Sequence, residues 1–403
     1  MKKKYTVCIL SLVLAVVPVQ HFYAAGFFNG YAGMRADISF TNSVELALKS
    51  FFAGQFNITK NFIARAEFTL SADNLFDPEL FTGGADAKFQ IDEISLIFRR
   101  QFLGGANYLS AFVGTYEPVG SDIFLRRQFG IQPIASKITE SWLGLSGSIV
   151  YPRFNMGISD VVHFSGQPIS AGAYIYFNRN GNNTDRMDFN GDIRFACAYQ
   201  YFYVDVVTGI NAPFTTTDKV YLLVESLYGH AGMIMLVGNN YTPVAFFFQG
   251  GIYYFPFKRN KDFSEYTIKE HMYLLSEVRS NFSSFQLSVA AFSIPQKTVD
   301  TLLFLRDPLG INISFSNNAL HAGTVQFELG VHTTLSFPDK YFTDLIHISD
   351  FFDTMPTLTL APYMAMRMSS GEMRVMFQLD ATALANEQPA KAFKINVGYK
   401  AQF

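Results

Sequence analysis

From Val325 to Phe337 the chain alternates without a fault. Val325, Phe327, Leu329, Val331, Thr333, Leu335 and Phe337 oppose Thr324, Gln326, Glu328, Gly330, His332, Thr334 and Ser336. Successive side chains of a strand point to opposite faces, so this stretch predicts a ribbon with one apolar and one polar side. The same period recurs elsewhere. Leu358, Leu360, Pro362, Met364, Met366 and Met368 oppose Thr357, Thr359, Ala361, Tyr363, Ala365, Arg367 and Ser369. Met373, Val375, Phe377, Leu379 and Ala381 oppose Glu372, Arg374, Met376, Gln378 and Asp380. Near the start, Phe62 to Leu70 sets Arg65, Glu67 and Thr69 on one face, and Phe28 to Phe40 sets Arg35 and Asp37 on one face. Some of these runs exceed the five or six residues usual in soluble strands and approach the roughly 9–11 that a tilted strand needs to cross a bilayer. The region 191–255 is less regular, and Val244-Ala245-Phe246-Phe247-Phe248 does not alternate at all.

Short turn signals separate several runs, as at Tyr151-Pro152-Arg153, Asn239-Asn240-Tyr241 and Ser369-Ser370-Gly371, while longer polar inserts separate others, as at 178–190 and 257–265. Short and long connections in turn are what membrane barrels have. In hydrocarbon every backbone N–H and C=O needs a partner within the protein, which only helices and closed barrels provide. The pattern therefore predicts an all-β fold, a closed antiparallel transmembrane β-barrel of about 18 strands (range 16–20). One barrel domain takes residues 27–403, and a strand number of this size leaves a lumen wide enough for water.

The segment Phe393 to Phe403 carries Phe393, Ile395, Val397, Tyr399, Ala401 and Phe403 on one face and Lys394, Asn396, Gly398, Lys400 and Gln402 on the other. It resembles the carboxy-terminal β-signal of bacterial outer-membrane barrels through Asn396, Gly398, Ala401 and Phe403, with Ala401 small for its position. That resemblance implies an outer-membrane location and recognition by the barrel-assembly machinery.

Composition agrees with this reading. About half of the 403 residues are apolar (49%), charged residues are scarce at 16%, and Phe (43) and Tyr (21) are abundant. Yet no later stretch has the roughly 18 consecutive apolar residues of a spanning helix. At the amino-terminus Lys2, Lys3 and Lys4 precede an apolar run from Val7 to Val19, the pattern of a secretory signal peptide over residues 1–26, with cleavage after Gly26. Loss of the three lysines takes the net charge from −2 to −5 by subtraction. A mildly acidic chain gives no reason to expect nucleic acid. Cys8 falls in the signal segment, which leaves Cys197 as a small lipid- or core-facing side chain and excludes an intramolecular disulfide or zinc cluster. No cofactor or metal is expected.

Arg35, Asp37, Arg65, Glu67, Glu328, His332, Arg367, Glu372, Arg374, Asp380 and Lys394 fall on polar faces and are the expected lumen lining. An Arg or Lys turned outward at mid-bilayer costs about 2–4 kcal/mol, which fixes the register. Joining the first strand to the last places Arg35 and Asp37 near Lys394. The segment 119–140 breaks the pattern and holds Asp122, Arg126, Arg127 and Lys137. It is either a loop folded inward, whose basic residues narrow the pore and set ion preference, or an outside loop facing water. In 338–356, Tyr341, Leu345, Ile348 and Phe352 recur at helical spacing, against an irregular loop. Asn178 to Asp185 is rich in oxygen ligands but lacks the closing Glu of a calcium loop, and a solvated turn is the simpler reading. The histidines are scattered with no ligand spacing, and no G-x-S-x-G elbow appears, so an enzyme is not expected.

The first functional expectation is a porin-like channel for small polar solutes. The second is a carrier of hydrophobic ligands, similar to long-chain fatty acid transporters, although the Asn-Pro-Ala element of their hatch is missing here. The third is a structural or adhesive surface barrel. Partners are then outer-membrane lipids, the assembly machinery, small solutes or hydrophobic ligands, and further copies of the chain in a homo-oligomer.

Overall fold

The structure is a computed structural model that describes residues 28–40, 44–76, 87–102, 104–119, 122–131, 135–139, 155–179, 186–215, 221–222, 227–239, 242–257, 271–300, 302–317, 320–346, 354–386 and 392–403. The expected signal segment and the ligand-rich turn at 180–185 lie outside the described residues. Strands β1 (Phe28–Phe40), β2 (Val44–Asn57), β3 (Phe62–Ala72), β4 (Ala87–Phe102) and β5 (Gly105–Gly114) lead to helix α1 (Asp122–Phe129). Then come β6 (Asn155–His163), β7 (Ile169–Arg179), β8 (Arg186–Tyr199), β9 (Phe202–Thr215), β10 (Tyr221–Leu222), β11 (Tyr228–Val237), β12 (Val244–Pro256), β13 (Met272–Asn281) and β14 (Phe285–Ser293). Helix α2 (Gln296–Val299) precedes β15 (Leu309–Asn317), β16 (Leu320–Ala322), β17 (Val325–Phe337), β18 (Thr357–Met368) and β19 (Gly371–Asp380); helix α3 (Ala381–Ala385) precedes β20 (Phe393–Gln402).

Every pairing is antiparallel, and the sheet closes: β1 pairs with β2 on one side and with β20 on the other. The short β10 only extends the edge of β9, and β16 folds back on β17, while β9 pairs directly with β11 and β15 with β17. The wall is thus a closed barrel of 18 strands. Closure removes the unpaired edges an open sheet would present. Up-and-down order puts the β2–β3, β4–β5, β6–β7, β8–β9, β11–β12, β13–β14 and β18–β19 connections at the end where Phe28 meets Phe403, and all of these are short.

Alternation holds around the wall. Ile193 (64% exposed), Leu96, Ile158, Ile210, Ile311, Leu329 and Phe377 face outward. Arg65, Glu67, Arg194, Asp205, Glu277, Gln378 and Asn396 face inward and are buried. Rings cluster at the short-turn rim: Phe403 stacks on Phe28 at 5.1 Å between centroids, Phe62 meets Phe98 at 4.8 Å, and Phe282 stacks on Phe285 at 4.3 Å. Between β3 and β4 the register shifts at Glu67/Phe68, a bulge that leaves both Asp92 and Glu93 buried.

The interior departs from a simple wet lumen. The chain after β5 and the chain after β14 both fold inside and bring an apolar core with them. Phe124 and Leu125 of α1, Ile138, Ile294, Val299, Phe304 and Leu305 are buried against Ile234, Phe247, Leu275, Ala361 and Met376 of the wall. Each large apolar side chain so covered gains roughly 1.5–3 kcal/mol, enough for short loops to stay inside. In 338–356, where a short helix was weighed against an irregular loop, the described residues form a 3₁₀ turn, Phe342–Ile346, and 347–353 lie outside the described residues.

Candidate functional site

The β17–β20 and β1–β3 wall carries hydrated charge. Arg35 and Asp37 pair at 2.8 Å, and Asn396 donates to the other oxygen of Asp37. In register, Lys49 stands opposite Arg35, and Lys394 opposite Ser39, two residues from Asp37. Arg367 bridges Glu328 at 2.8 Å and Glu372 at 3.4 Å, while Arg374 holds Glu372 at 2.8 Å. Tyr363 donates to Glu328 at 2.9 Å, and the Lys400 ammonium lies 4.3 Å from the Tyr31 ring centre. The Arg367, Glu372 and Arg35 side chains keep 39%, 30% and 20% of their exposure, so this strip of the interior is open to water.

The opposite side is filled and tied down. Arg194 pairs with Asp205, donates to the Glu117 carbonyl at 2.6 Å and to the Pro118 carbonyl at 3.3 Å, and lies 3.5 Å over the Phe124 ring. Glu117 receives Arg127 and the Tyr174 hydroxyl, the latter at 2.7 Å. Glu117 has a φ of 41°, a left-handed conformation that a non-glycine residue holds only when its surroundings impose it. Tyr116 donates to Ser110 at 2.7 Å, and burial pushes its hydroxyl up from the ordinary value, so it stays protonated. Farther along, the Lys137 N–H donates to Glu277 at 2.7 Å, and Arg279, paired with Glu277, donates to the Ala135 carbonyl. This segment therefore crosses the lumen from the β5–β9 wall to β13. The second inward segment leans on β17–β20: Arg306 pairs with Asp380, Ser336 donates to Asp307 at 2.6 Å, and Gln378 donates to the Leu303 carbonyl. His332 is sandwiched between Phe304 at 4.1 Å and Tyr363 at 5.2 Å.

Among the described residues, two cavities lie beside these segments. One, about 120 Å³, has aromatic walls that include Phe112, Tyr116, Tyr174, Tyr176, Tyr253 and Tyr273. At its edge Asp192 meets His230 Nε2 at 3.0 Å and accepts from Tyr176 at 2.8 Å. The other, about 440 Å³, lies at the short-turn end among Arg65, Arg99, Arg126, Arg127, Tyr31 and Tyr108.

All eleven residues expected on the lumen face stand at inward positions of the wall. They split by what covers them: Arg35, Asp37, Glu328, Arg367, Glu372 and Lys394 keep part of their exposure, whereas Arg65, Glu67, His332, Arg374 and Asp380 are buried at 2–9% exposure. The second group is covered because the lumen contains protein as well as water. Arg65 meets Glu67, and also Glu93 at 3.5 Å. Of the four residues expected in a constricting loop, Arg127 is buried in an ion pair, Arg126 is exposed, and Lys137 is anchored through its backbone; the side chain of Asp122 lies outside the described residues. Asn396, Gly398, Ala401 and Phe403 stand in or beside β20 with Asn396 fully buried, and Gly398 faces Arg35 on one side and Arg374 on the other. Sequence reasoning passed over Glu117, Arg194, Asp205, Glu277, Arg279 and Arg306. For Arg194 a signal existed, since Asp188, Asn190, Asp192 and Arg194 alternate with Phe189, Ile193 and Phe195.

No family model and no curated protein matches the chain. Among solved structures it is similar to a mutant of the porin of Rh. blastica, at 8% identity and a TM-score of 0.41, with 93% of this chain and 99% of that one covered. It is similar to Wzi of Escherichia coli, an outer membrane protein involved in group 1 capsule assembly and described as a carbohydrate-binding β-barrel, at 9% identity and a TM-score of 0.47, covering 93% and 84%. It is also similar to OmpF of Salmonella typhi, at 9% identity and a TM-score of 0.38, covering 93% and 97%.

Proposed function

We propose that this chain is an outer-membrane, porin-like channel that passes small polar solutes along the hydrated β17–β3 side of its lumen. The observation that carries the reading is the contrast between the two faces of the wall. Outside, Ile193, Leu96, Ile158, Leu329 and Phe377 form an apolar surface that water would penalise and hydrocarbon would not. Inside, Arg35, Arg367 and Glu372 of both signs keep access to water. The resemblance of Asn396 to Phe403 to an assembly signal, and the lysine-led apolar segment at 1–26, support export to the outer membrane and delivery by the assembly machinery. The protein acts without catalysis, in contact with lipids and with further copies of itself. Purified protein in planar lipid bilayers is expected to give discrete conductance steps, and a flat record would end this reading.

A second reading is favoured by one feature, the aromatic cavity bounded by Phe112, Tyr116, Tyr174 and Tyr253. Such a cavity suits a hydrophobic ligand in transit. Mass spectrometry of gently purified protein distinguishes the two: a lipid or fatty acid retained in fixed proportion supports the carrier, and its absence supports the channel.

A further inference from the structure

We propose that the arginine-lined cavity at the short-turn end is a subsite for small oxyanions with two or more negative charges, such as phosphate or a dicarboxylate. The proposal rests on the channel reading for its place in transport and names the solute class of that channel. Four guanidinium groups converge from three elements: Arg65 of β3, Arg99 of β4, and Arg126 and Arg127 of α1. Among the described residues that line this space there is no Asp or Glu. The carboxylates that touch two of these arginines stand outside the lining: Glu67 and Glu93 on Arg65, Glu117 on Arg127. They pair with Arg65 and Arg127, so the exposed positive charge of the cavity is that of Arg99 and Arg126.

Arg127 Nη2 is a buried nitrogen with no hydrogen-bond partner among the described residues. The Arg127 side chain is 7% exposed, whereas Arg65 Nε faces the Glu93 carboxylate at 3.5 Å. A buried donor left without an acceptor is unfavourable, and an oxyanion supplies several acceptors at once. Arginine matches this need, because its planar fork binds carboxylate or phosphate oxygens in pairs. Arg99 and Arg126 are exposed and so reachable from water, and Arg99 lies 5.9 Å from the Tyr108 ring centre. Tyr31, Gln55 and Gln402 complete the polar border. The positions are inward, which selects a soluble anion over a lipid headgroup on the outer wall.

The test uses the full chain refolded in detergent, with inorganic phosphate and succinate as probes and glucose as the uncharged control. Calorimetry is expected to give saturable binding of both anions that weakens as salt is raised. The Arg99→Gln/Arg126→Gln double variant removes two exposed charges and leaves the buried pairs intact. It is expected to weaken phosphate by about tenfold or more, as the loss of charge-assisted contacts predicts. No saturable binding, or binding unchanged in the double variant, overturns the subsite. A short-chain phosphatidic acid that displaces phosphate and still binds the double variant places the anion on the lipid-facing wall, and also overturns it. Bilayer records separate this from the channel reading. Phosphate binding without conductance steps leaves the subsite standing and removes the channel; steps without phosphate binding do the reverse.

Discussion

The guanidinium of Arg194 lies over the ring of Phe124, 3.5 Å from its centre. One residue belongs to the wall and the other to the helix inside it, so this contact, with the Arg194–Asp205 pair behind it, fastens the helix to the barrel. Replacing Phe124 with Ala removes a fully buried ring and is expected to cost about 3–5 kcal/mol of packing inside the lumen. The strand pairing is untouched, so heat-modifiable gel mobility stays that of a barrel while the mean conductance step rises. An unchanged step size would mean that the helix does not narrow the path.

Ile193 sits in the outer belt and is expected to lie in hydrocarbon. Ile193→Arg should lower stability in lipid by about 2–4 kcal/mol if the site is near mid-bilayer, and less toward either interface. On the surface of a water-soluble protein the same change falls within roughly ±0.5 kcal/mol. Denaturant unfolding in vesicles reads the difference directly.

The two faces of β18 give a chemical version of the same test. In a Cys197→Ser background, Arg367→Cys is expected to react with a membrane-impermeant maleimide, because Arg367 opens to the lumen. Met364→Cys is expected to stay unreactive in lipid and to react in detergent-free unfolded chain, because Met364 is exposed only on the outer face. Equal labelling of both in vesicles would refute the assignment of faces.

Gly33 marks where β1 is pressed between its neighbours. A Cβ there would come within 2.6 Å of the Phe51 ring and of the Tyr399 carbonyl oxygen. Gly33→Val is therefore expected to prevent β1 from lying between β2 and β20, and gel analysis should show loss of the heat-modifiable band. Gly191→Val, at a position open on all sides, is the matched control and should fold.

The strand pattern was legible wherever one face of the wall meets water. In β17 the inward side is Gln326, Glu328, His332, Thr334 and Ser336, and the period of two is plain. In β12 it vanished because the inward side is apolar too: Phe247 (1% exposed) and Ala245 (2%) pack against the inserted core while Val244 faces outward. The period of two thus marks the inward side where it is polar and gives no sign of the side that is filled. The inward fold of 294–308 left no periodic trace, since Ile294, Val299, Phe304 and Leu305 are spaced irregularly in a loop. What binds them inside is tertiary, through Arg306 to Asp380 and Phe304 to His332.

The register of Tyr31 with Gln402 and of Ser39 with Lys394 joins the two extremes of the described chain. A nascent polypeptide that stops short of β20 leaves one edge of β1 unpaired, and one edge of β19 equally bare. Such a product is a long ribbon with two sticky margins, the geometry that seeds strand-by-strand aggregation. A chain that ends before β20 is therefore expected to associate edge to edge rather than to close.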